Sequence, residues 1–163
     1  MNATIEGKAL LLGDDIDTDT IIPTFALQKS KDPKTFAEYA FFYAIPHFKE
    51  RGRNIIVAGR NFGCGSSREE AVFALVHADV HAVLATSFAP IFKRNAFNNA
   101  LLCIQINTSQ ISDNDYLEID LHKRKVFNRT KNETYEFVIS SAEETLILEG
   151  GLLNLLMKRL RDK

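Results

Sequence analysis

The chain has 163 residues, of which 45% are hydrophobic and 25% charged, a balance typical of a globular protein with one hydrophobic core. Its formal net charge of −1 and the lack of a basic stripe with interleaved aromatic residues give no indication of nucleic-acid binding. No apolar run approaches the roughly 20 residues that span a bilayer, and the N-terminus does not resemble a leader, so we expect a cytoplasmic protein that does not contact membranes.

The first third of the chain predicts a strand, a polar loop and a helix. Residues 5–12 read as a strand, and the following GDDIDTDTIIP is too rich in Asp and Thr to be anything but a loop until its last residues. Residues 33–51 place aromatic residues at helical spacing, and Pro46 predicts a break near the end of that helix.

Strands and helices then alternate along the middle of the chain. The expected elements are a strand at 54–58, a helix at 66–78, a strand at 80–86, a helix at 89–99 and a strand at 101–106. This alternation predicts an α/β fold with a largely parallel sheet and helices packed against it. All of it fits a single domain over residues 1–163.

The last third predicts a change of architecture. Within residues 113–140, the segments YLEIDL, KVFN and YEFVIS alternate between apolar and polar residues and predict a small antiparallel unit. Residues 141–160 read as a C-terminal helix, with Ser141 and Glu144 at the spacing of a capping box. Gly150 and Gly151 interrupt that helix, and they are expected to split it in two.

The segment NFGCGSSREE, residues 61–70, allows two interpretations. Ser66 with Glu69, or Ser67 with Glu70, has the spacing of a reciprocal helix cap, and on local pattern alone a cap is the favoured interpretation. The alternative is an anion site, because a helix N-terminus offers free backbone amides and a positive dipole end.

Three features of this loop exceed what a cap requires. Gly63 and Gly65 would let the backbone approach a ligand closely, and Arg68 carries the planar fork that suits a carboxylate. Only one serine is needed for a cap, so a second hydroxyl is spare. The segment lacks the pattern of a dinucleotide loop, a nucleoside-triphosphate loop or a hydrolase nucleophile elbow.

An acidic turn, DDIDTDT, crowds Asp14, Asp15, Asp17 and Asp19 together. It lacks the Gly and Glu that a calcium loop requires, so we discount calcium. A solvated turn and a role in orienting an arginine or a substrate hydroxyl both remain open.

The segment SFAPIFKRNAFNNAL, residues 87–101, carries a cluster of cationic and amide side chains, most of which we expect at the surface or at a helix end. Cys64 and Cys103 are far apart and form no CxxC motif, and the four histidines show no metal-ligand spacing. We therefore expect this chain to hold no metal and no cofactor of its own.

In this order, GDDIDTDTIIP, NFGCGSSRE and SFAPIFKRNAFNNAL resemble the small subunits of 3-isopropylmalate dehydratases, within the aconitase superfamily. The resemblance covers nearly the whole chain. It implies a swivelling domain, a β/β/α sandwich similar to the fourth domain of aconitase, carried on a separate polypeptide.

The same resemblance implies a hydro-lyase that is active only with a large subunit. That subunit would hold a four-iron, four-sulfur cluster, whose open iron acts on the departing hydroxyl of a hydroxy-dicarboxylate. By family motif the base is Ser66, while Ser67, Arg68, Gly65 and Asp19 bind substrate. The implied reaction interconverts 2- and 3-isopropylmalate in leucine biosynthesis.

The family also places a specificity loop after the IIP segment. Here it comprises Thr24, Phe25, Ala26, Leu27, Gln28 and Lys29. Relatives that act on homocitrate place an arginine where this chain has Gln28, which argues against an extra substrate carboxylate, although Lys29 lies beside it. Homoaconitate, citramalate or a dimethylmalate as substrate, or a non-catalytic carboxylate-binding module, remain alternatives. Glu70, Pro90 and Ala100 depart from residues common in the family.

Overall fold

A computed structural model describes residues 3–163, and its centre is one mixed sheet of seven strands in the order β4-β3-β2-β1-β5-β6-β7. The strands are β1 (Thr4–Leu11), β2 (Ile55–Ala58), β3 (Ala82–Ala85), β4 (Leu102–Gln105), β5 (Tyr116–Asp120), β6 (Lys125–Asn128) and β7 (Glu133–Glu136). β1 to β4 pair in parallel, and β5 to β7 pair antiparallel. The two halves join where β5 pairs antiparallel with β1. The predicted parallel half and antiparallel unit are both present, and they form one sheet.

The burial of the strands follows their position in this sheet. Every residue of β2 and β3 is buried, as expected of short parallel strands covered on both faces. In β5 and β6 the buried positions alternate with partly exposed ones, as in a sheet with one solvated face.

Five α-helices accompany the sheet: α1 (Thr18–Ile21), α2 (Glu69–His77), α3 (Pro90–Asn98), α4 (Ser141–Glu149) and α5 (Leu152–Arg161). The predicted split of the C-terminal helix is confirmed, since Gly150 and Gly151 take φ of +80° and +105° between α4 and α5. Short 3₁₀ helices span Thr24–Gln28, Pro33–Tyr39 and Lys49–Arg51.

The predicted helix over residues 33–51 is wrong. Only its two ends are helical, as 3₁₀ turns, and the middle is broken at Phe41 and His47, which take φ of +52° and +55°. The Phe41 amide donates instead to the Ile21 carbonyl at 2.8 Å, and the Phe41 side chain is fully buried. Core packing of aromatic residues therefore overrides their helical spacing here.

Three smaller expectations also need correction. The Asp- and Thr-rich loop contains the short helix α1, whose N-cap Asp17 accepts from the Thr20 amide at 2.6 Å. The C-terminal capping box is present but is formed by Ser140 and Glu143, one residue before the predicted pair. The last strand runs from Glu133 to Glu136, so it begins before the predicted YEFVIS segment and ends within that segment.

Three loops leave the carboxyl ends of parallel strands at one edge of the sheet. They are loop A (residues 12–17, after β1), loop B (59–68, after β2) and loop C (86–89, after β3). This edge is where open α/β sheets usually bind ligands.

Candidate active site

Backbone hydrogen bonds tie loop A and the first residue of α1 to loop B. The Thr18 amide donates to the Cys64 carbonyl at 2.9 Å, and the Gly63 amide donates to the Ile16 carbonyl at 2.7 Å. A parallel bridge pairs Asp17 with Cys64. The first and second sequence motifs therefore meet, although nearly 50 residues separate them.

A pair of hydroxyls lies at this junction. The Thr18 and Ser66 oxygens are 2.7 Å apart, and the Ser66 amide donates to the Thr18 oxygen at 3.2 Å. Thr18 is buried, with 1% of its surface exposed, while Ser66 is exposed. The buried hydroxyl thus fixes the position of one that solvent or a ligand can reach. Sequence reasoning missed Thr18, although it lies within the DTD motif.

The capping interpretation of loop B is wrong. α2 begins at Glu69, three residues later than predicted, and its N-cap is Arg68, with no side-chain capping bond. Neither predicted cap, Ser66 with Glu69 or Ser67 with Glu70, is formed. No side chain of residues 3–163 therefore caps this helix end, where backbone amides and the dipole favour an anion.

Arg68 links loop B to the specificity loop. Its guanidinium forms an ion pair with Asp19 and donates to the Thr24 oxygen at 3.3 Å. The side chain of Arg68 is 24% exposed, and that of Asp19 is 66% exposed. Asp19 follows Thr18 in the chain, and its carboxylate holds the guanidinium in place while the fork remains accessible.

The acidic residues of loop A are bound rather than freely solvated. Asp14 accepts from the Arg60 amide at 2.7 Å and from its guanidinium at 3.2 Å, and Asn61 donates to Asp15 at 3.1 Å. The backbone bond from Arg60, helped by its guanidinium and opposed by desolvation, lowers the pKa of Asp14. These carboxylates clamp loop B to loop A.

Gly63 and Gly65 of loop B are glycines for different physical reasons. Gly63 takes φ of +83°, and a Cβ there would lie 2.2 Å from the Phe92 ring, so packing rather than a ligand demands glycine at this position. Gly65 takes φ of +103° with only ordinary contacts around a built Cβ, and it is exposed. Only Gly65 lies where backbone could face a ligand.

The third motif, residues 87–101, forms hydrogen bonds to loop B and to the start of α2. Asn95 of α3 donates to the Ser67 carbonyl at 3.4 Å, and Asn99, directly after α3, donates to the Glu69 carboxylate at 2.9 Å. Asn99 is the C-cap of α3, a helix-end position as predicted, and both asparagines also reach the region of the candidate site.

The specificity loop lies beside Arg68. Residues Thr24–Gln28 form a 3₁₀ turn in which Ala26 is buried and Gln28 is exposed, and Lys29 follows it, also exposed. Thr24 provides the contact to the guanidinium. A ligand held by Arg68 would therefore meet this turn.

The site is open on its outer side. Gly65, Ser66 and Ser67 are exposed, and the side chain of Arg68 is 24% exposed. The chain therefore presents the candidate site at its surface.

Neither cysteine is suited to bind a metal, because a cysteine ligand must be a thiolate. Burial raises the pKa of Cys103 well above its usual value; desolvation, with Asp17 and Asp15 nearby, also raises the pKa of Cys64. Residues 3–163 contain no cluster of three His, Cys, Asp or Glu side chains that could hold a metal. Within the same residues, no helix is both long and apolar enough to cross a membrane.

Residues 16–109 match the family model of the aconitase C-terminal domain, and the chain belongs to this family. The chain is 43% identical to the methanogen homoaconitase small subunit of Methanocaldococcus jannaschii, over 95% of this chain and 92% of the relative. It is 44% identical to the 3-isopropylmalate dehydratase small subunit of Aliarcobacter butzleri, over 93% of each chain.

A solved structure agrees with these sequence matches. The crystal structure of 3-isopropylmalate dehydratase from M. jannaschii superposes with a TM-score of 0.90 at 42% identity, covering 96% of this chain and 95% of that one. The resemblance that the three motifs indicated is therefore confirmed, and so is the α/β fold.

Proposed function

We propose that this chain is the small subunit of a 3-isopropylmalate dehydratase, a hydro-lyase of leucine biosynthesis that acts with a large subunit in the cytoplasm. The whole chain would work as one swivel domain. The observation that carries the proposal is the Thr18–Ser66 hydroxyl pair beside Arg68 and the uncapped start of α2.

The proposed base is Ser66. Its oxygen would remove the proton from the substrate carbon next to a carboxylate and return that proton in the reverse reaction. The oxygen must therefore carry negative charge at one stage of turnover. An alkoxide has no proton to give, so the Thr18 hydroxyl would be the donor in the 2.7 Å contact. The free amides of α2 and the Arg68 charge further stabilise that oxygen.

The substrate carboxylate would be held by Arg68, Ser67 and the backbone at Gly65, while Asp19 orients the guanidinium. When bound in the large subunit, the four-iron, four-sulfur cluster supplies the Lewis acid for the departing hydroxyl. The thiols of this chain do not fit a ligand role, and the open outer side of the site leaves room for a partner's surface.

The substrate is proposed from the specificity loop. Gln28 is exposed where homocitrate enzymes of the family carry an arginine, so no guanidinium is available at that position for a third carboxylate. A branched apolar substituent is therefore favoured. Homoaconitate is the second candidate, because one relative at 43% identity is a homoaconitase small subunit and Lys29 adjoins Gln28. Citramalate and dimethylmalate are lower-ranked alternatives.

The test is turnover by the chain mixed anaerobically with its cluster-loaded large subunit, with each subunit alone as a control. We expect 2-isopropylmalate to be isomerised only by the mixture. Preferred turnover of homoaconitate would select the second candidate. Carboxylate binding by the chain alone, with no turnover in an assembled mixture for any of these substrates, would favour a non-catalytic module.

A further inference from the structure

Four aromatic side chains form a cluster at the surface, named here the aromatic patch: Phe25 and Tyr39, which are half-buried, and Phe42 and Tyr43, which are exposed. The Phe25 ring is 5.5 Å from Tyr39, 5.2 Å from Phe42 and 6.0 Å from Tyr43, in edge-to-face arrangements. Phe42 is 48% exposed and Tyr43 is 76% exposed. Contiguous aromatic groups left in water are typical of protein interfaces, where such residues supply most of the binding energy.

The aromatic patch is continuous with the proposed active site. Phe25 follows Thr24, whose hydroxyl accepts a hydrogen bond from Arg68. The site is open on its outer side, so its second wall must come from another surface. Any protein that closes over Ser66 and Arg68 therefore also reaches Phe25 and the rings packed on it.

A basic segment borders the aromatic patch. Residues 29–34 join the 3₁₀ turn that carries Phe25 to the one that carries Tyr39, and they include three lysines, Lys29, Lys31 and Lys34, against one acidic residue, Asp32. None of these three lysines forms an ion pair with another residue of the described chain. The protein as a whole carries a net charge of −1, so this basic segment runs against its overall charge. It fits a partner surface with acidic groups around an apolar depression.

We propose that the aromatic patch and its lysine rim are the docking surface for the large subunit. The proposal rests on the proposed function, because it identifies the partner as the protein that completes the Ser66 site. Phe42 and Tyr43 provide apolar anchoring at the centre, and the lysines steer association at the edge.

A second apolar surface offers the matched control. Helix α5 exposes a stripe in which Leu153 and Leu160 are 70% and 72% exposed. These two leucines are seven residues apart and so lie on one face of the helix. The helix itself packs on α4 and against the end of α3, where Gly151 lies close to the Asn98 carbonyl. No residue of α5 contacts Ser66, Arg68 or the specificity loop through a hydrogen bond or ion pair.

The experiment compares Tyr43→Ala with Leu153→Ala, two substitutions of side chains with nearly equal exposure. Association with the large subunit is measured by sedimentation and by the large-subunit concentration that gives half-maximal turnover. We expect Tyr43→Ala to raise that concentration by about tenfold or more while kcat at saturating large subunit is retained. Leu153→Ala should leave it unchanged. Both variants should match the wild-type melting temperature, because exposed positions contribute little to stability.

A second arm tests the rim. Lys31→Gln combined with Lys34→Gln should weaken association at low salt and flatten its dependence on salt between about 50 and 500 mM. Phe42→Ala independently tests the centre of the aromatic patch. Like Tyr43→Ala, it should weaken association with the large subunit and leave kcat at saturation unchanged.

The outcomes separate the two proposals. Unchanged association of both aromatic variants, or a loss with Leu153→Ala instead, overturns the docking surface. A wild-type mixture that assembles but turns over no hydroxy acid overturns the proposed function, while sedimentation still decides the docking surface. Failure of the wild-type chains to associate at all overturns both.

Discussion

The two halves of the sheet each contain a polar cross-link between distant segments, but the two cross-links differ in how far solvent or a ligand can reach them. In the parallel half, Thr18 and Ser66 share one short contact, and Ser66 is exposed. In the antiparallel half, Asp115 is 4% exposed and accepts from Asn128 at 2.7 Å and from the Ser112 amide at 2.9 Å, with Lys131 at 3.4 Å.

The difference separates a site from a structural cross-link. Three groups of the same chain converge on one carboxylate oxygen of Asp115, Oδ2, and the residue is almost fully buried, so this cross-link stabilises the fold and is closed to a ligand. Ser66 has capacity left over at an open edge of the sheet, beside a cation and an uncapped helix end. A polar network of this kind therefore indicates function where one member remains accessible to a ligand.

The largest expected effect is on turnover from the parallel half. Ser66→Ala removes the proposed base, and kcat in the reconstituted enzyme should fall by about 10²- to 10⁴-fold. Folding and assembly should be unchanged, as measured by circular dichroism and sedimentation. Ser141→Ala, another exposed serine, is the control. Near-normal kcat in Ser66→Ala would contradict the assignment of the base.

The antiparallel half should show the opposite pattern. Asp115→Ala leaves the buried Asn128 amide and the Ser112 N–H without their acceptor, so the free energy of unfolding should fall by about 1–3 kcal/mol. At temperatures where the variant stays folded, kcat should match the wild type. Urea unfolding and steady-state assays measure the two quantities. A kcat loss in the folded variant would remove the distinction between the halves.

Thr18 tests the comparison from inside the site, since it is buried like Asp115 but contacts Ser66. Thr18→Val keeps the shape and removes the donor to the Ser66 alkoxide, so kcat should fall about tenfold, the equivalent of one hydrogen bond. The pH at which kcat rises should also move upward, because the alkoxide is less stabilised. Thr18→Ser should restore both. A purely structural role would lower stability without moving the pH profile.

The parallel half could be predicted from sequence because its signals are local. Alternating apolar segments gave β2 to β4 and α3 nearly at their observed bounds, and Gly150-Gly151 gave the break between α4 and α5. Residues 33–51 could not be predicted in the same way. Helical spacing there competes with burial of Phe41 and with its amide bonding to Ile21, which lies outside any local window.

The candidate site was only partly predictable for the same reason. The motifs marked Ser66, Arg68 and Asp19, but the local spacing favoured a helix cap, and only the fold shows that Ser66 turns to Thr18 instead. Thr18 carries no distinguishing local pattern. Its role depends on the junction of loops A and B, which the parallel pairing of β1 with β2 brings about.

The smallest expected effect is the pH dependence of the Asp115 cross-link. Burial alone would raise the pKa of Asp115, but the bond from the Ser112 amide, together with Asn128 and Lys131, holds it below the usual value. A depressed pKa in the folded state means that the charged carboxylate stabilises the fold above the unfolded pKa near 3.9, and that this stabilisation is lost as the pH falls further. The gap in unfolding free energy between the wild type and Asp115→Asn should therefore be constant from about pH 5 to 7 and shrink below about pH 4. Asp14→Asn, at an exposed carboxylate, should show less of this dependence, because solvent screens its interaction with Arg60. A constant gap down to pH 3 would show that the Asp115 charge contributes nothing to the fold, and the cross-link would then be a matter of shape alone.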